Sequence, residues 1–122
     1  SIITYGNTTH FCLNVAERLA KESGWEVEVI DLRSLIPLDK ETIFESVKKT
    51  SKALVVHEDK VFSGFGAEVA ATLGTEMFRH LDAPIRRVGS TFTPVGFHPV
   101  LERAILPDEE KIYATAKELL EY

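Results

Sequence analysis

The chain has 122 residues, of which 44% are hydrophobic and 27% are charged, and its formal net charge is −5. These proportions are ordinary for a soluble globular protein, and a chain of this length buries about two-thirds of its unfolded surface without disulfides or metals. The negative charge argues against a general nucleic-acid binder and against a protein that binds anionic membranes. No apolar run approaches the ~20 residues that a membrane span requires. The single cysteine, Cys12, cannot form an internal disulfide and favours a cytoplasmic location.

Two strand–helix units are predicted in the first 50 residues. Residues 1–6 have the pattern of a buried strand, and the following helix carries an apolar stripe that stops at Gly24. Residues 27–32 begin with alternating polar and apolar side chains, which predicts a strand near the edge of the sheet. Asp39 is a good N-cap for the second helix.

Residues 53–71 form the centre of the predicted fold. The uninterrupted apolar run at residues 53–56 fits a strand that is buried on both faces and ends before His57. A turn with two glycines follows at residues 63–66, and the next segment has apolar side chains on one helical face. These side chains are Val69, Ala70, Leu73 and Met77. Strand, glycine turn and helix in this order are typical of a parallel α/β sheet.

The last part of the chain is predicted to complete the sheet and to end in a helix. Residues 85–88 form a short fourth strand, and residues 90–99 hold two prolines and two phenylalanines, which indicates an ordered irregular crossing. Residues 107–110 open the terminal helix with acidic side chains at its positive dipole end. The order βαβαβαβ predicts a three-layer α/β/α fold with a mostly parallel sheet. The continuous apolar runs belong in its centre, so the predicted strand order is 2-1-3-4 with the second strand at an unpaired edge.

The glycine turn is the first candidate site, because ligands of open parallel sheets bind beyond the carboxyl ends of the strands. Gly64 and Gly66 could cradle a phosphate at a helix N-terminus. The dinucleotide fingerprint, however, requires a third glycine where Val69 stands, and the chain has no Gly-Lys-Ser/Thr sequence of a nucleoside triphosphate loop. Glu68 in the first helical turn would also repel a phosphate. We therefore interpret the two glycines as parts of a tight turn.

His57 with Glu58, and Cys12, are the other candidates for chemistry. His57 and Glu58 have the composition of an acid–base pair, but adjacent strand residues point to opposite faces, so packing at a sheet edge or subunit contact is favoured. Cys12 lies on the apolar stripe of its helix and is predicted to be a core residue. The other three histidines have no second ligand at metal-like spacing. The sequence therefore predicts no catalytic, metal-binding or cofactor-binding residue.

Phe92, Val95 and Phe97 allow two interpretations. Large apolar side chains in an irregular stretch either cover an edge of the core or form a buried subunit interface. The sequence leaves both open.

Seven stretches, which together span nearly the whole chain, match one known family. They are residues 3–6, 29–39, 55–58, 63–70, 83–85, 93–94 and 106–107. On these residues the chain resembles the C-terminal domain of the transketolase superfamily. It is most similar to the β-subunit portion of the thiamine-dependent 2-oxo acid dehydrogenase component, of the branched-chain (2-oxoisovalerate) or pyruvate type.

The resemblance implies a parent enzyme whose thiamine diphosphate and magnesium are bound by domains absent from this chain. Those domains would supply the cofactor's activating carboxylate and the catalytic histidines. Residues 1–122 are then expected to be a single domain, the C-terminal fragment of a larger enzyme, which alone binds no cofactor and is inactive. Family domains usually begin with one more, antiparallel strand, which this chain lacks.

The resemblance also implies partners for this domain. They are other domains or subunits of the same dehydrogenase, a second copy of the β-type domain, and the small, basic subunit-binding domain of the lipoyl acyltransferase. In such β subunits, acids before the fourth strand and the terminal carboxylate receive the partner's Arg and Lys, so we carry this role onto Asp82 and Tyr122. The alternative is that Asp82 merely caps a turn.

Two other functions remain open at this point. The chain could be a free-standing, flavodoxin-like module that binds a small molecule, or the C-terminal domain of another transketolase-like enzyme. The choice between pyruvate and a branched-chain 2-oxo acid is not predicted, because substrate contacts would lie in the absent domains.

Overall fold

Four strands form one parallel sheet in the computed structural model, which describes residues 1–122. In chain order they are β1 (Ile2–Thr4), β2 (Val29–Asp31), β3 (Leu54–Lys60) and β4 (Arg86–Ser90). The order across the sheet is β2-β1-β3-β4, and every neighbouring pair is parallel. The predicted order 2-1-3-4 is confirmed. β2 pairs with β1 alone, which leaves its outer edge unpaired.

Five α-helices connect or follow the strands: α1 (Thr8–Ser23), α2 (Lys40–Thr50), α3 (Phe65–Glu76), α4 (Pro99–Ile105) and α5 (Glu109–Leu120). α1 ends as predicted at Gly24, whose φ of 70° brings its N–H to the carbonyl of Ala20. α2 begins at the predicted cap, where the Asp39 carboxylate accepts the N–H of Thr42 at 3.1 Å. None of these helices combines the length and the apolar composition needed to cross a membrane.

The sheet is covered by helices on both faces, which gives the fold three layers. Ile2 and Leu54 pack with α1 and α5 on one face. Ile3 and Val55 pack with α2 and α3 on the other face. Each of the four side chains is at most 2% exposed, and burying a side chain of this size contributes about 1.5–3 kcal/mol. The continuous apolar runs thus belong to strands that are buried on both faces, as predicted.

β3 and β4 end later than predicted. The apolar run at residues 53–56 predicted an end before His57, but β3 continues to Lys60. A register shift in this stretch lets β3 remain paired with β4, and Lys60 lies opposite Ser90. The Ser90 hydroxyl also donates to the carbonyl of Glu58. Pairing between strands, which no local sequence pattern encodes, therefore sets these two ends.

The prediction for residues 90–99 is partly wrong. Residues 91–98 are irregular as expected, but Pro99 begins α4. Proline suits the first position of a helix, where its missing N–H would have no intrahelical partner. The His98 side chain caps this helix by accepting the N–H of Val100 at 3.2 Å. The sequence pattern does not reveal α4, because none of its residues is buried and the helix has no buried apolar stripe.

α3 lies very close to β3 at Gly66. A Cβ atom added to Gly66 would overlap the imidazole of His57 and would lie 3.2 Å from Cγ1 of Val55. Gly66 does not have a positive φ, so the need for glycine comes from the close approach and not from the backbone conformation. Gly74, about two turns later in α3, has more room, because its Cβ would lie 3.9 Å from Ile85.

Gly66→Ala is expected to lower the free energy of unfolding by about 1–3 kcal/mol, because the added methyl group overpacks the contact between α3 and β3. The matched control Gly74→Ala lies in the same helix. It should leave stability unchanged or raise it by up to about 1 kcal/mol, since alanine is the better helix former. Urea unfolding followed by circular dichroism measures both variants. Equal midpoints for the wild type and Gly66→Ala would contradict the prediction.

Candidate functional site

His57 is a fully buried polar side chain at the middle of β3. It is 0% exposed, and its ring stacks on that of Tyr5 with centroids 5.9 Å apart. Its Nδ1 lies 3.1 Å from the carbonyl oxygen of Asp59. Since a carbonyl can only accept, Nδ1 carries the proton. Nε2 is then a buried acceptor without a partner, which costs about 1–3 kcal/mol.

The surroundings of His57 keep it neutral and separate it from Glu58. Burial lowers the pKa of His57 below its ordinary value of 6.5, because desolvation disfavours the imidazolium. Glu58 is exposed and, as the next residue of β3, points to the opposite face. The acid–base pair is therefore not formed. His57 packs inside the domain and not at a sheet edge or subunit contact.

The N-terminus of α3 is already occupied by a carboxylate of this chain. Asp59 accepts the N–H of Lys60 at 2.7 Å and the N–H of Phe65 at 3.4 Å, so a negative charge complements the helix dipole. A Cβ atom added to Gly64 would overlap the carbonyl of Lys60. The glycines of this turn serve close packing, which agrees with their interpretation as tight-turn residues.

The residues of this chain do not fit thiamine diphosphate or its magnesium ion. A diphosphate at the N-terminus of α3 would meet the Asp59 carboxylate, and no group of three or more His, Cys, Asp or Glu side chains is arranged to hold a metal ion. Cys12 lies in the core, as predicted, where burial raises the pKa of its thiol to about 12 and makes it a poor nucleophile. The other three histidines are exposed: His10, His80 and His98.

Exposed apolar side chains lie on the turn after β3, on the irregular segment before α4 and on the first turn of α4. We call this group the apolar loop surface; its members are Phe62, Phe92, Val95, Phe97, Val100 and Leu101. Phe92 is 69% exposed, and its ring contacts that of Phe62 edge to face at 5.0 Å. The interpretation that Phe92, Val95 and Phe97 cover an edge of the core is wrong, since none of them belongs to a buried cluster. The interpretation as a subunit interface stays open.

Asp82 and Tyr122, the two predicted partner-binding residues, line the same groove. We call it the Asp82 groove; its volume is about 450 Å³, and its other lining residues are Gly74, Phe78, Leu81, Ala83, Pro84 and Ile85. Both side chains are exposed, Tyr122 by 70%. The backbone N–H of Asp82 donates to the carbonyl of Ser51 at 2.9 Å, but its carboxylate caps no turn. The carboxylate is therefore free to meet a partner.

Phe78 forms an aromatic wall of the Asp82 groove that sequence analysis missed. It is 75% exposed and begins the 3-10 turn Phe78–His80 that follows α3. Met77, the last member of the apolar stripe, is buried, and the next side chain on a helix points about 100° around its axis. The position of Phe78 directly after the last residue of the buried stripe could therefore have indicated that its side chain is exposed.

The polar candidates for chemistry are enclosed or engaged within the chain, and the exposed features are surfaces. His57 is enclosed, the Asp59 carboxylate is held by backbone N–H groups, and the Cys12 thiol is protonated. No nucleophile, base and orienting group meet at one point. The features open to a partner are the apolar loop surface and the Asp82 groove.

Comparison with known protein sequences gives matches along the whole chain. The family model described as "Transketolase, C-terminal domain" matches residues 1–112. The 2-oxoisovalerate dehydrogenase subunit beta of Bacillus subtilis is 40% identical over 123 residues, which cover 100% of this chain and 37% of that protein. The pyruvate dehydrogenase E1 component subunit beta-1, mitochondrial, of Arabidopsis thaliana is 41% identical over 117 residues, which cover 96% of this chain and 32% of that protein. The chain thus spans about a third of the length of these relatives.

A solved structure confirms the fold. It is described as "Split gene transketolase, inactive beta4 tetramer", and it aligns with a TM-score of 0.83 at 27% identity over 98% of this chain and 38% of that one. The resemblance seen in the sequence is confirmed by the family model, by the β-subunit relatives and by this structure. The chain belongs to the transketolase C-terminal domain family.

Proposed function

We propose that this chain is the C-terminal domain of the β subunit of a thiamine diphosphate-dependent 2-oxo acid dehydrogenase, where it assembles subunits and docks the lipoyl acyltransferase. Identities of 40% and 41% with two such β subunits support this parent enzyme. Oxidative decarboxylation and acyl transfer to lipoyl groups belong to the parent and take place outside this domain. The substrate is pyruvate or a branched-chain 2-oxo acid, as the names of those relatives suggest.

The Asp82 groove is the main structural support for the docking role. It joins an exposed carboxylate to the apolar side chains of Phe78 and Ile85. Binding energy at protein interfaces concentrates where an apolar or arginine anchor enters a pocket that excludes water. A fitting partner presents a Lys or Arg to Asp82 and an apolar side chain to Phe78. The basic subunit-binding domain of the acyltransferase has this chemistry in the enzymes that the chain resembles.

The apolar loop surface supports the assembly role. Contiguous apolar patches on a protein surface commonly mark interaction sites, and the six members of this surface are all exposed in the single chain. A second copy of the β-type domain is the proposed occupant. The related solved structure is itself described as a tetramer, so an oligomer is compatible with this fold.

The position of a cavity near the amino ends of the strands argues against a free-standing, flavodoxin-like binding module. The cavity has a volume of about 700 Å³, and its lining includes Ile2, Val27 and Leu54, which precede or begin strands. Ligands of open parallel sheets bind at the opposite, carboxyl ends of the strands. At that end Tyr5 and His57 fill the space with their stacked rings.

The 122-residue chain is expected to bind no thiamine diphosphate, because the Asp59 carboxylate holds the N-terminus of α3 and repels a diphosphate. Isothermal titration of the chain with thiamine diphosphate and magnesium measures this directly. Saturable heat at micromolar cofactor would contradict the expectation.

Asp82→Asn in the dimeric parent enzyme is expected to weaken docking of the acyltransferase. An exposed ion pair contributes about 0.2–1 kcal/mol, and its loss should lower the association rate. This effect of the substitution should be smaller above ~0.1 M salt, where the Debye length is ~10 Å and exposed charges are screened. The matched control is Glu58→Gln, an exposed acid at the opposite end of the sheet. Surface plasmon resonance at low and high salt measures all three proteins. Identical, salt-independent kinetics for the wild type and Asp82→Asn would refute the role of Asp82.

Phe97→Ser in the parent enzyme is expected to weaken subunit association by about 1 kcal/mol or more, the loss typical of an interface anchor. Phe97 is fully exposed in the single chain, so the substitution should leave the unfolding midpoint of the chain unchanged. Ile36→Ser, at a residue that is 90% exposed outside this surface, is the control. Sedimentation equilibrium measures the dissociation constants. An unchanged constant for Phe97→Ser would exclude this surface from the interface.

A further inference from the structure

His57 is a buried titratable side chain that the proposed function does not use. Three elements enclose its ring: Tyr5 follows β1 and stacks on it, while Gly66 of α3 and Gly89 of β4 approach its edge. A Cβ atom added to Gly66 would overlap Nε2, and one added to Gly89 would lie 3.0 Å from Cε1. The two glycines leave room for the ring and for nothing more.

We propose that His57 is a pH-sensitive latch that holds α3 and β4 against β3, and that proton uptake at Nε2 opens the turn at residues 61–64. A proton on Nε2 needs an acceptor, and Nε2 has no partner in this structure. The imidazolium would also lie against the first turn of α3, where the helix dipole is positive. The inference does not rest on the proposed docking or dehydrogenase role.

The charged groups around the ring do not outweigh the cost of burying an imidazolium. Three titratable or charged groups face the ring: Asp59 of β3, Arg87 of β4, and Tyr5, which follows β1. Helix α3 contributes none. The Asp59 carboxylate, which is held by two backbone N–H groups, favours the imidazolium. Burial disfavours the imidazolium more strongly, and Arg87 adds a second positive charge that also disfavours it. The cost of the buried positive charge is therefore relieved when the ring moves out of its site, and not by a new ion pair.

The turn after β3 is held in place by hydrogen bonds to β4, next to the site of the His57 ring. The N–H of Val61 donates to the carbonyl of Ser90 at 3.0 Å, and the Arg87 guanidinium donates to the carbonyl of Val61 at 2.7 Å. Phe62 in this turn contacts Phe92. When the ring leaves its site, the end of β3 loosens, and the contact between the two phenylalanines opens with it.

The sign of the pH effect follows from the lowered pKa of His57. Below about pH 6.5, the ordinary value for a solvated histidine, the open form binds a proton that the closed form does not bind. The closed form is therefore fully stable above about pH 6.5 and loses stability as the pH falls below this value. A single proton changes the opening equilibrium by at most about tenfold per pH unit.

NMR spectroscopy of the 122-residue chain between about pH 8 and about pH 5 tests the latch. The expected results are an Nδ1–H tautomer at the upper pH and a titration midpoint for His57 below 6.5. The ring signals of Phe62 and Phe92 should shift with the same midpoint while far-UV circular dichroism stays constant. Hydrogen-exchange protection of the Val61 and Phe65 amides, which donate to Ser90 and Asp59, should fall by up to about tenfold per pH unit in this range.

Two variants separate the latch from general acid sensitivity. His57→Gln removes the titrating ring and should abolish the shared midpoint, whereas His80→Gln removes an exposed histidine and should keep it. The wild-type titration decides the question even if His57→Gln does not fold. Ring signals of Phe62 and Phe92 that stay unchanged while His57 takes up its proton would overturn the latch, as would a His57 midpoint at or above 6.5.

Discussion

The close contact between α3 and β3 at Gly66 is the constraint on which the rest of this domain depends. It fixes a 12-residue helix against the central sheet, and the two ends of a helix of that length lie about 18 Å apart. One end follows the turn that carries Phe62, and the other leads into Phe78. A single glycine therefore helps to place both the apolar loop surface and the Asp82 groove relative to the sheet.

Polar groups at the carboxyl ends of the strands make their hydrogen bonds and ion pairs within the chain. Asp59 caps α3, and His57 hydrogen-bonds to the Asp59 carbonyl in a closed space. Asp31 accepts the hydroxyl of Thr9 and pairs with Arg33. In many α/β proteins this edge faces a ligand; here its side chains stabilise turns and helix ends.

The apolar loop surface and the Asp82 groove differ in chemistry, and the difference suits permanent contacts at the first and transient contacts at the second. The apolar loop surface is built from aromatic and aliphatic side chains, the composition typical of permanent interfaces between subunits. The Asp82 groove combines an apolar wall at Phe78 with an exposed carboxylate. Charged contacts at the rim of an interface steer association and respond to salt, which suits a partner that binds and leaves. The two surfaces thus leave room for both of the proposed roles, assembly and docking, on one small domain.

The sequence by itself determined the layers and the strand order, because these depend on local patterns such as the apolar run at residues 53–56. It determined the family through its resemblance to known sequences over seven stretches. It also pointed to Asp82 and Tyr122, through the resemblance alone. Only the tertiary structure decided that these two residues line one groove, that β3 runs on to Lys60, and that the phenylalanines before α4 face outward. Each of these features is set by contacts between residues far apart in the chain, and such contacts form only when helices and strands pack together.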